Sequence, residues 1–125
     1  MAVTSDEKVK AVHAYIGAFE KGDTEAVLAL FADDATLEDP LGTPVRHGLD
    51  EIREFYAGSM VTGAKLELVG APRCAADYVA FPFAVKLDWE GKKQTIEVID
   101  TFRFNEDGKI AEMRAYWGPE NMKAE

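Results

Sequence analysis

Residues 96–104 read Ile-Glu-Val-Ile-Asp-Thr-Phe-Arg-Phe, IEVIDTFRF, and their alternation of apolar and polar residues predicts a β-strand. Successive side chains on a strand point to opposite faces, so the even-numbered residues share one face. That face is apolar except at its middle position and carries Ile96, Val98, Asp100, Phe102 and Phe104. A buried, unpaired carboxylate costs several kcal/mol, and such a group usually takes up a proton instead. Asp100 is therefore the first candidate for a functional residue.

Further strands are predicted on both sides of this one, from the same alternation. The predicted strands are residues 35–39, 65–73, 79–89, 93–104 and 110–117. Glu90-Gly91 and the segment 105–108, NEDG, predict turns that join the last three strands as an antiparallel meander. On the final strand the pattern places four residues inward, namely Ala111, Met113, Ala115 and Trp117.

Three helices are predicted in the first half of the chain. Thr4 and Glu7 have the spacing of a capping box before the first helix, and Gly22 favours its end. Asp23 or the next residue caps the second helix, and Gly58 closes the third. The predicted helices span about 5–21, from 23 or 24 through Phe31, and about 49–57. Helices followed by a meander predict an α+β fold, with the helices covering one face of a curved sheet around a pocket.

The composition narrows the class of protein and its partners. The chain has 125 residues, 47% of them hydrophobic, which predicts a single domain over 1–125 with one core. A net charge of −9 argues against nucleic acid and anionic membranes as partners. No apolar run reaches the ~18 residues of a membrane helix. The N-terminus lacks the pattern of a signal peptide, and Cys74 is the single cysteine, so we expect a cytoplasmic protein without a metal site.

Two more polar side chains lie where the pattern expects apolar ones. Tyr15 lies on the apolar stripe of the first helix, and Asp39 lies on the apolar face of the strand 35–39. Each has an ordinary structural explanation, as a core tyrosine with its hydroxyl at the edge and as a turn-forming aspartate. For Asp100 the structural alternative is an ion pair with Arg114 or Arg103, although Arg103 lies on the opposite face of the strand.

Several segments together closely resemble the bacterial Δ5-3-ketosteroid isomerases, in order and in spacing, over nearly the whole chain. They are AYIGAFEKGD (14–23), LALFADDATLEDPLG (28–42), GLDEIREFYAGS (48–59), VIDTFRF (98–104) and MRAYWG (113–118). The resemblance implies the cystatin-like (NTF2-like) fold, in which three N-terminal helices pack on a curved mixed, mainly antiparallel β-sheet. It also implies a homodimer, a small-molecule steroid substrate and no cofactor.

The resemblance assigns roles to the three unusual polar residues. The general base of the family falls on Asp39, and the two donors of its oxyanion hole fall on Tyr15 and a protonated Asp100. This family is an established example of a carboxylic acid kept neutral by an apolar site, so the assignment follows from the resemblance.

Residues that line the substrate pocket follow in the same way. Phe55, Phe83, Met113 and Trp117 are core residues by pattern, and they also suit a pocket for a flat apolar ligand. Tyr56 matches a supporting tyrosine that bonds to the hydroxyl of Tyr15. Some family members carry a further tyrosine where this chain has Phe31, so a shorter hydrogen-bond network is expected here.

The activity implied is steroid Δ-isomerisation, the movement of a double bond into conjugation with a ketone by proton transfer through a dienolate. The alternative is a non-catalytic ligand-binding or dimerisation module, because this fold hosts many functions. A binding module does not need Tyr15, Asp39 and Asp100 together. A related lyase or hydrolase is a third possibility, and such enzymes usually need a histidine or further polar groups that the apolar faces of this chain lack.

Overall fold

The computed structural model describes residues 3–125, which form three α-helices and eight β-strands. The helices are α1 (Ser5–Lys21), α2 (Thr24–Leu28) and α3 (Gly48–Val61). The strands are β1 (Phe31–Glu38), β2 (Arg46–His47), β3 (Lys65–Leu68), β4 (Arg73–Ala75), β5 (Tyr78–Trp89), β6 (Lys92–Phe104), β7 (Ile110–Tyr116) and β8 (Met122–Ala124). None of these helices is both long and apolar enough to cross a membrane.

The sheet is mixed and mainly antiparallel, as predicted. Its strands follow the order β2-β1-β7-β6-β5-β3, with β4 also paired to β5 and β8 to β6. Only the β1–β7 pair is parallel among the strands of residues 3–125. The helices pack against one face of the sheet and enclose the core there. The predicted α+β fold is confirmed.

The local signals for the first two helices are confirmed in detail. Glu7 N–H donates to Thr4 Oγ1 at 3.1 Å, and Thr4 N–H donates to Glu7 Oε1 at 3.0 Å. Gly22 ends α1 in the left-handed conformation, with φ of 65°, which glycine adopts without steric cost. Asp23 caps α2 by accepting a hydrogen bond from the backbone of Ala26.

Two predicted helix ends are wrong. Helix α2 stops at Leu28, and Phe31 begins β1, because the chain from Phe31 onward pairs with β7 and buries its side chains in the core. This tertiary pairing overrides a weak helical preference. Helix α3 continues past Gly58 to Val61, and the residue that turns the chain is Gly63, with φ of 72°. A glycine inside a helix costs only ~1 kcal/mol, so Gly58 does not end α3.

The strand predicted at 65–73 is also corrected. It is divided into β3 and β4, which pair with different halves of β5. The intervening segment, which contains Gly70 and Pro72, leaves the ladder between them. The short strands β2 and β8 were not predicted, since two or three residues carry too little periodicity.

The inward face of β7 differs from the prediction at one position. Ile110 pairs with Phe104 and Glu112 pairs with Arg103, so Ala111 is the extra residue of a β-bulge. The bulge reverses the alternation, and Ile110 takes the buried position instead of Ala111. The predicted inward positions further along β7, Met113 and Ala115, are confirmed as buried.

Candidate active site

A cavity of about 530 Å³ lies between the helices and the sheet. The three unusual polar residues, Tyr15, Asp39 and Asp100, meet at its surface although they come from α1, the end of β1 and β6. Four predicted pocket residues also line it, namely Phe55, Tyr56, Phe83 and Trp117. The prediction for Met113 is wrong: this residue does not line the cavity, and its fully buried side chain packs in the hydrophobic core.

Asp100 is 1% exposed at the middle of the sheet. It lies opposite Phe81 of β5 and Ala115 of β7, and neither carboxyl oxygen has a hydrogen-bond partner within residues 3–125. Burial, and secondly the charge of Asp39, raises the pKa of Asp100 well above its usual range, although the nearby Tyr15 hydroxyl opposes this rise. Burial therefore favours the neutral form of the Asp100 carboxyl group, and in that form it can donate a hydrogen bond.

The structural alternative for Asp100 fails on geometry. Arg114 is directed to Glu112, with 3.5 Å between the guanidinium and the carboxylate, and is exposed on the outer face of the sheet. Arg103 lies on the face opposite Asp100, as the alternation predicts. Neither arginine therefore forms an ion pair with Asp100.

Tyr15 and Tyr56 form a buried pair beside Asp100. Their hydroxyl oxygens are 2.9 Å apart, which confirms the predicted hydrogen bond. Burial raises the pKa of both hydroxyl groups well above the usual value, so both remain protonated. When Tyr56 donates to Tyr15, the Tyr15 hydrogen is free to point into the cavity. Phe31 packs against Tyr56 with 5.8 Å between ring centroids and adds no hydroxyl to the pair.

Asp39 is placed by the chain segment that follows β1. Leu41 N–H donates to the carbonyl of Ala115 at 2.8 Å, which ties this segment to the strand facing Asp100. Trp117, two residues further along, donates its indole Nε1–H to Asp39 Oδ1 at 3.0 Å. The backbone hydrogen bond of Leu41 thus fixes the segment, and the hydrogen bond from Trp117 fixes the side chain of Asp39.

The two carboxyl groups have different environments and different protonation states. Burial raises the pKa of Asp39 to about 6, while the Trp117 hydrogen bond and the charge of Arg46 oppose the rise. Asp39 is therefore mostly ionised at pH 7, whereas the pKa of Asp100 is raised well above its usual range, which favours its neutral form. The cavity holds a proton acceptor and a proton donor of the same residue type. Such a pair suits acid–base chemistry on one substrate.

Arg46 lies beside this end of the cavity on β2. Its guanidinium is 5.2 Å from the centroid of the Phe55 ring, a cation–π distance. In the β1–β2 ladder it pairs with Leu37, two residues before Asp39. Arg46 was not among the predicted site residues, because a charged residue in a short loop-like stretch carries no distinguishing sequence signal.

Most of the remaining cavity wall is apolar, and none of its residues was predicted to line a pocket. These residues are Phe19, Ala64, Leu66, Val85, Leu87, Trp89, Ile96, Val98 and Met122. Alternation on β5 and β6 places several of them inward, but a pattern does not distinguish a wall from a packed core. Gln94, Ser59 and Thr62 add polar groups away from Asp100.

Comparison with known proteins agrees with this geometry. A family model for the SnoaL-like domain matches residues 12–113. The chain belongs to this family. The SnoaL-like chain is 42% identical over 120 residues to the Steroid Delta-isomerase of Nocardioides simplex, covering 94% of this chain and 95% of that relative. The resemblance to ketosteroid isomerases is confirmed.

Two further relatives carry a different name. The SnoaL-like chain is 37% identical over 103 residues to Epoxide hydrolase LasB of Streptomyces lasalocidi, covering 78% of this chain and 36% of LasB. A solved structure of SalBIII, described as an epoxide hydrolase/cyclase-like enzyme in pyran ring formation, superposes with a TM-score of 0.89. SalBIII is 27% identical to this chain, and the match covers 96% of this chain and 97% of SalBIII.

Proposed function

We infer that this SnoaL-like protein is a steroid Δ-isomerase that converts Δ5-3-ketosteroids to Δ4-3-ketosteroids. One observation carries the inference: Asp39, with a pKa of about 6, and the fully buried Asp100, whose pKa is raised well above its usual range, line the same mostly apolar cavity. The isomerisation needs a base and an oxyanion donor at the same time, and it needs no water or cofactor. The 42% identity to a relative named Steroid Delta-isomerase supports the same activity.

Asp39 acts as the general base and transfers a single proton. Its carboxylate takes a proton from C4. The electrons of that C–H bond form a C3–C4 double bond, and the π electrons of the carbonyl move to the C3 oxygen, which gives a dienolate conjugated with the C5–C6 double bond. The protonated Asp39 then returns the proton to C6, so the carboxylate is restored and atoms balance. A pKa of about 6 keeps most of the base ionised at pH 7 while bringing its basicity closer to the working pH.

Tyr15 and Asp100 form the oxyanion hole. Negative charge on the C3 oxygen needs donors that are already in place, because their reorganisation would add to the barrier. The Tyr15 hydroxyl is supported by Tyr56 at 2.9 Å, and the neutral Asp100 has no competing partner within the described residues. An ionised Asp100 would repel the dienolate. Burial favours the protonated form of Asp100, which can donate a hydrogen bond to the C3 oxygen.

The remaining site residues bind the steroid body. Phe55, Phe83 and Trp117 present aromatic surface to the cavity, and Trp117 also fixes Asp39. A flat, rigid hydrocarbon skeleton gains most from burial against such a wall.

We also propose a homodimer in the cytoplasm. Ile99 and Tyr116 face each other across β6 and β7 on the outer face of the sheet, where they are 47% and 40% exposed. Such exposed apolar side chains in one patch favour a protein interface. The free thiol of Cys74 fits a reducing compartment.

Two alternatives are less well supported. A non-catalytic module would not need a buried acid, which costs stability and contributes nothing to binding a hydrocarbon. An epoxide hydrolase or cyclase could use the same acid and base, and LasB and SalBIII are similar to this chain. The relative that matches over nearly its whole length with 42% identity is nevertheless the isomerase.

The test is a spectrophotometric assay with a Δ5-3-ketosteroid. Conjugation of the enone produces an ultraviolet band, and we expect its growth to depend on enzyme concentration and to be lost in Asp39→Asn. No absorbance change above the uncatalysed rate contradicts the proposal. Diol or cyclic ether formation from an epoxide, without enone formation, supports the hydrolase alternative instead.

A further inference from the structure

The end of the cavity remote from Asp100 has a polar residue of its own. Gln94 lies six residues before Asp100 on β6, and both side chains face the cavity because the alternation is unbroken between them. The wall between them is apolar and includes Val98 and Ile96. Gln94 is partly buried, so its amide lies at the cavity surface and not in bulk solvent.

The two hydroxyl groups at this end already have hydrogen-bond partners. Ser59 Oγ donates to the carbonyl of Phe55 at 3.4 Å, and Thr62 Oγ1 donates to the carbonyl of Ser59 at 2.6 Å, so both hydroxyls bond within α3 and its end. Gln94 pairs in the sheet with Leu87 and Ala124, whose side chains have no hydrogen-bonding group. Its amide, with two N–H donors and a carbonyl acceptor, is thus available to a ligand.

The separation of the two polar ends suits a rigid polycyclic ligand. Six residues of strand span roughly 20 Å between the two Cα atoms. Part of this span is taken up by the side chains of Gln94 and Asp100, which lean toward the ligand. A hydrogen bond of ~2.8 Å at each end takes up a further part. The remaining length accommodates a fused ring system with an oxygen at each end.

We propose that Gln94 determines specificity by hydrogen-bonding an oxygen at the end of the substrate remote from the reacting ketone. This rests on the proposed function and deepens it: the preferred substrates are polycyclic ketones with a second carbonyl or hydroxyl group at the far end. The amide of Gln94 donates to a carbonyl oxygen and donates to or accepts from a hydroxyl group, so both oxygen types are bound. Polycycles without this oxygen leave the amide without a partner.

Calorimetric titration with phenolic steroids tests the proposal without turnover. A phenol at the reacting end occupies the oxyanion hole, and estrone, estradiol and deoxyestrone differ only at the far end as ketone, hydroxyl and hydrogen. We expect wild type to bind estrone roughly 3- to 10-fold more tightly than deoxyestrone, the effect of one neutral hydrogen bond. Gln94→Leu, which keeps size but cannot hydrogen-bond, should reduce this ratio to about one.

Two further variants keep the experiment decisive. Gln94→Glu matches the glutamine in size and accepts but does not donate, so it should bind estradiol more tightly than estrone. Thr95→Val removes a polar group from the neighbouring residue on the opposite face, and it should keep the wild-type ratio. Equal ratios in wild type, Gln94→Leu and Gln94→Glu overturn the role of Gln94.

The outcome separates this proposal from the proposed function. Enone formation with wild-type enzyme, together with ligand ratios that do not respond to Gln94, means that the isomerase function stands and the role of Gln94 is wrong. No enone formation, together with affinity ratios that change in the Gln94 variants, means that Gln94 binds the far end of a ligand in a protein that is not an isomerase.

Discussion

Replacement of Asp39 by asparagine should stabilise the protein while it removes turnover. Burial raises the pKa of Asp39 from 3.8 to about 6, so the folded state binds the proton more tightly than the unfolded state. Stability from this group is fully present below the unfolded pKa and is lost as pH rises through about 6. A pKa difference of about 2 units corresponds to about 3 kcal/mol. At pH 7 the unfolding free energy of wild type is lowered by this amount, and that of Asp39→Asn is not.

The measurement is denaturant unfolding of wild type and Asp39→Asn from about pH 4 to about pH 8. We expect the difference in unfolding free energy to grow in favour of Asp39→Asn by roughly 2–2.5 kcal/mol between about pH 4 and about pH 7, and then to level off near the full ~3 kcal/mol. The contribution of Asp100 cancels in the difference between the two curves as long as Asp100 stays protonated in the folded state of both proteins.

The same variant tests the catalytic assignment. Loss of the general base should lower turnover at least ~10²-fold, while binding of estrone is retained. A free-energy difference that does not change with pH would show that the pKa of Asp39 is not raised in the folded state. Near wild-type turnover would show that Asp39 is not the base, whatever its pKa.

Three other predictions concern the groups around Asp39. Tyr15→Phe should lower kcat by roughly 10²–10³-fold and change estrone affinity far less, because the hydroxyl bonds most strongly to the developing oxyanion. Steady-state kinetics and binding assays measure the two effects, and a loss confined to affinity would contradict this role. Asp100→Asn should keep more turnover at pH 7 than Asp100→Ala. It should also remove the part of the fall in stability that Asp100 contributes as pH rises from ~3.9 toward its raised pKa, while the part due to Asp39 remains. Equal turnover of the two variants would mean that Asp100 is not a donor. Arg46→Gln removes a charge that lowers the pKa of Asp39, so the acid limb of the pH–kcat profile should move to higher pH. An unchanged profile would mean that Arg46 does not influence the pKa of the base.

Much of the fold is encoded in short stretches of sequence. The capping box of Thr4 and Glu7, the left-handed Gly22 and the cap at Asp23 are local interactions, and each lies where the sequence predicts it. The alternation on β5 and β6 assigns their inward faces correctly, because these strands pair without a bulge along their length. The unusual position of Asp100 follows from the same alternation.

Element boundaries needed the tertiary structure. Phe31 belongs to β1 because a distant strand, β7, pairs with this part of the chain, and no local pattern encodes that pairing. Gly58 lies inside α3 because the cost of one glycine is smaller than the gain from continuing the helix. Ala111 faces away from its predicted side because of a bulge opposite Arg103 and Phe104.

The sequence by itself determined which residues are chemically unusual: a tyrosine and two aspartates on apolar faces, and the aromatic residues near them. Only the tertiary structure decided which of these meet and what surrounds them. It places Met113 in the core and Met122 on the cavity wall, and it ties Asp39 to Trp117 across 78 positions of sequence. The physical reason is that alternation reports which side of a strand is apolar, whereas an empty cavity and a shifted pKa depend on how separate elements pack together.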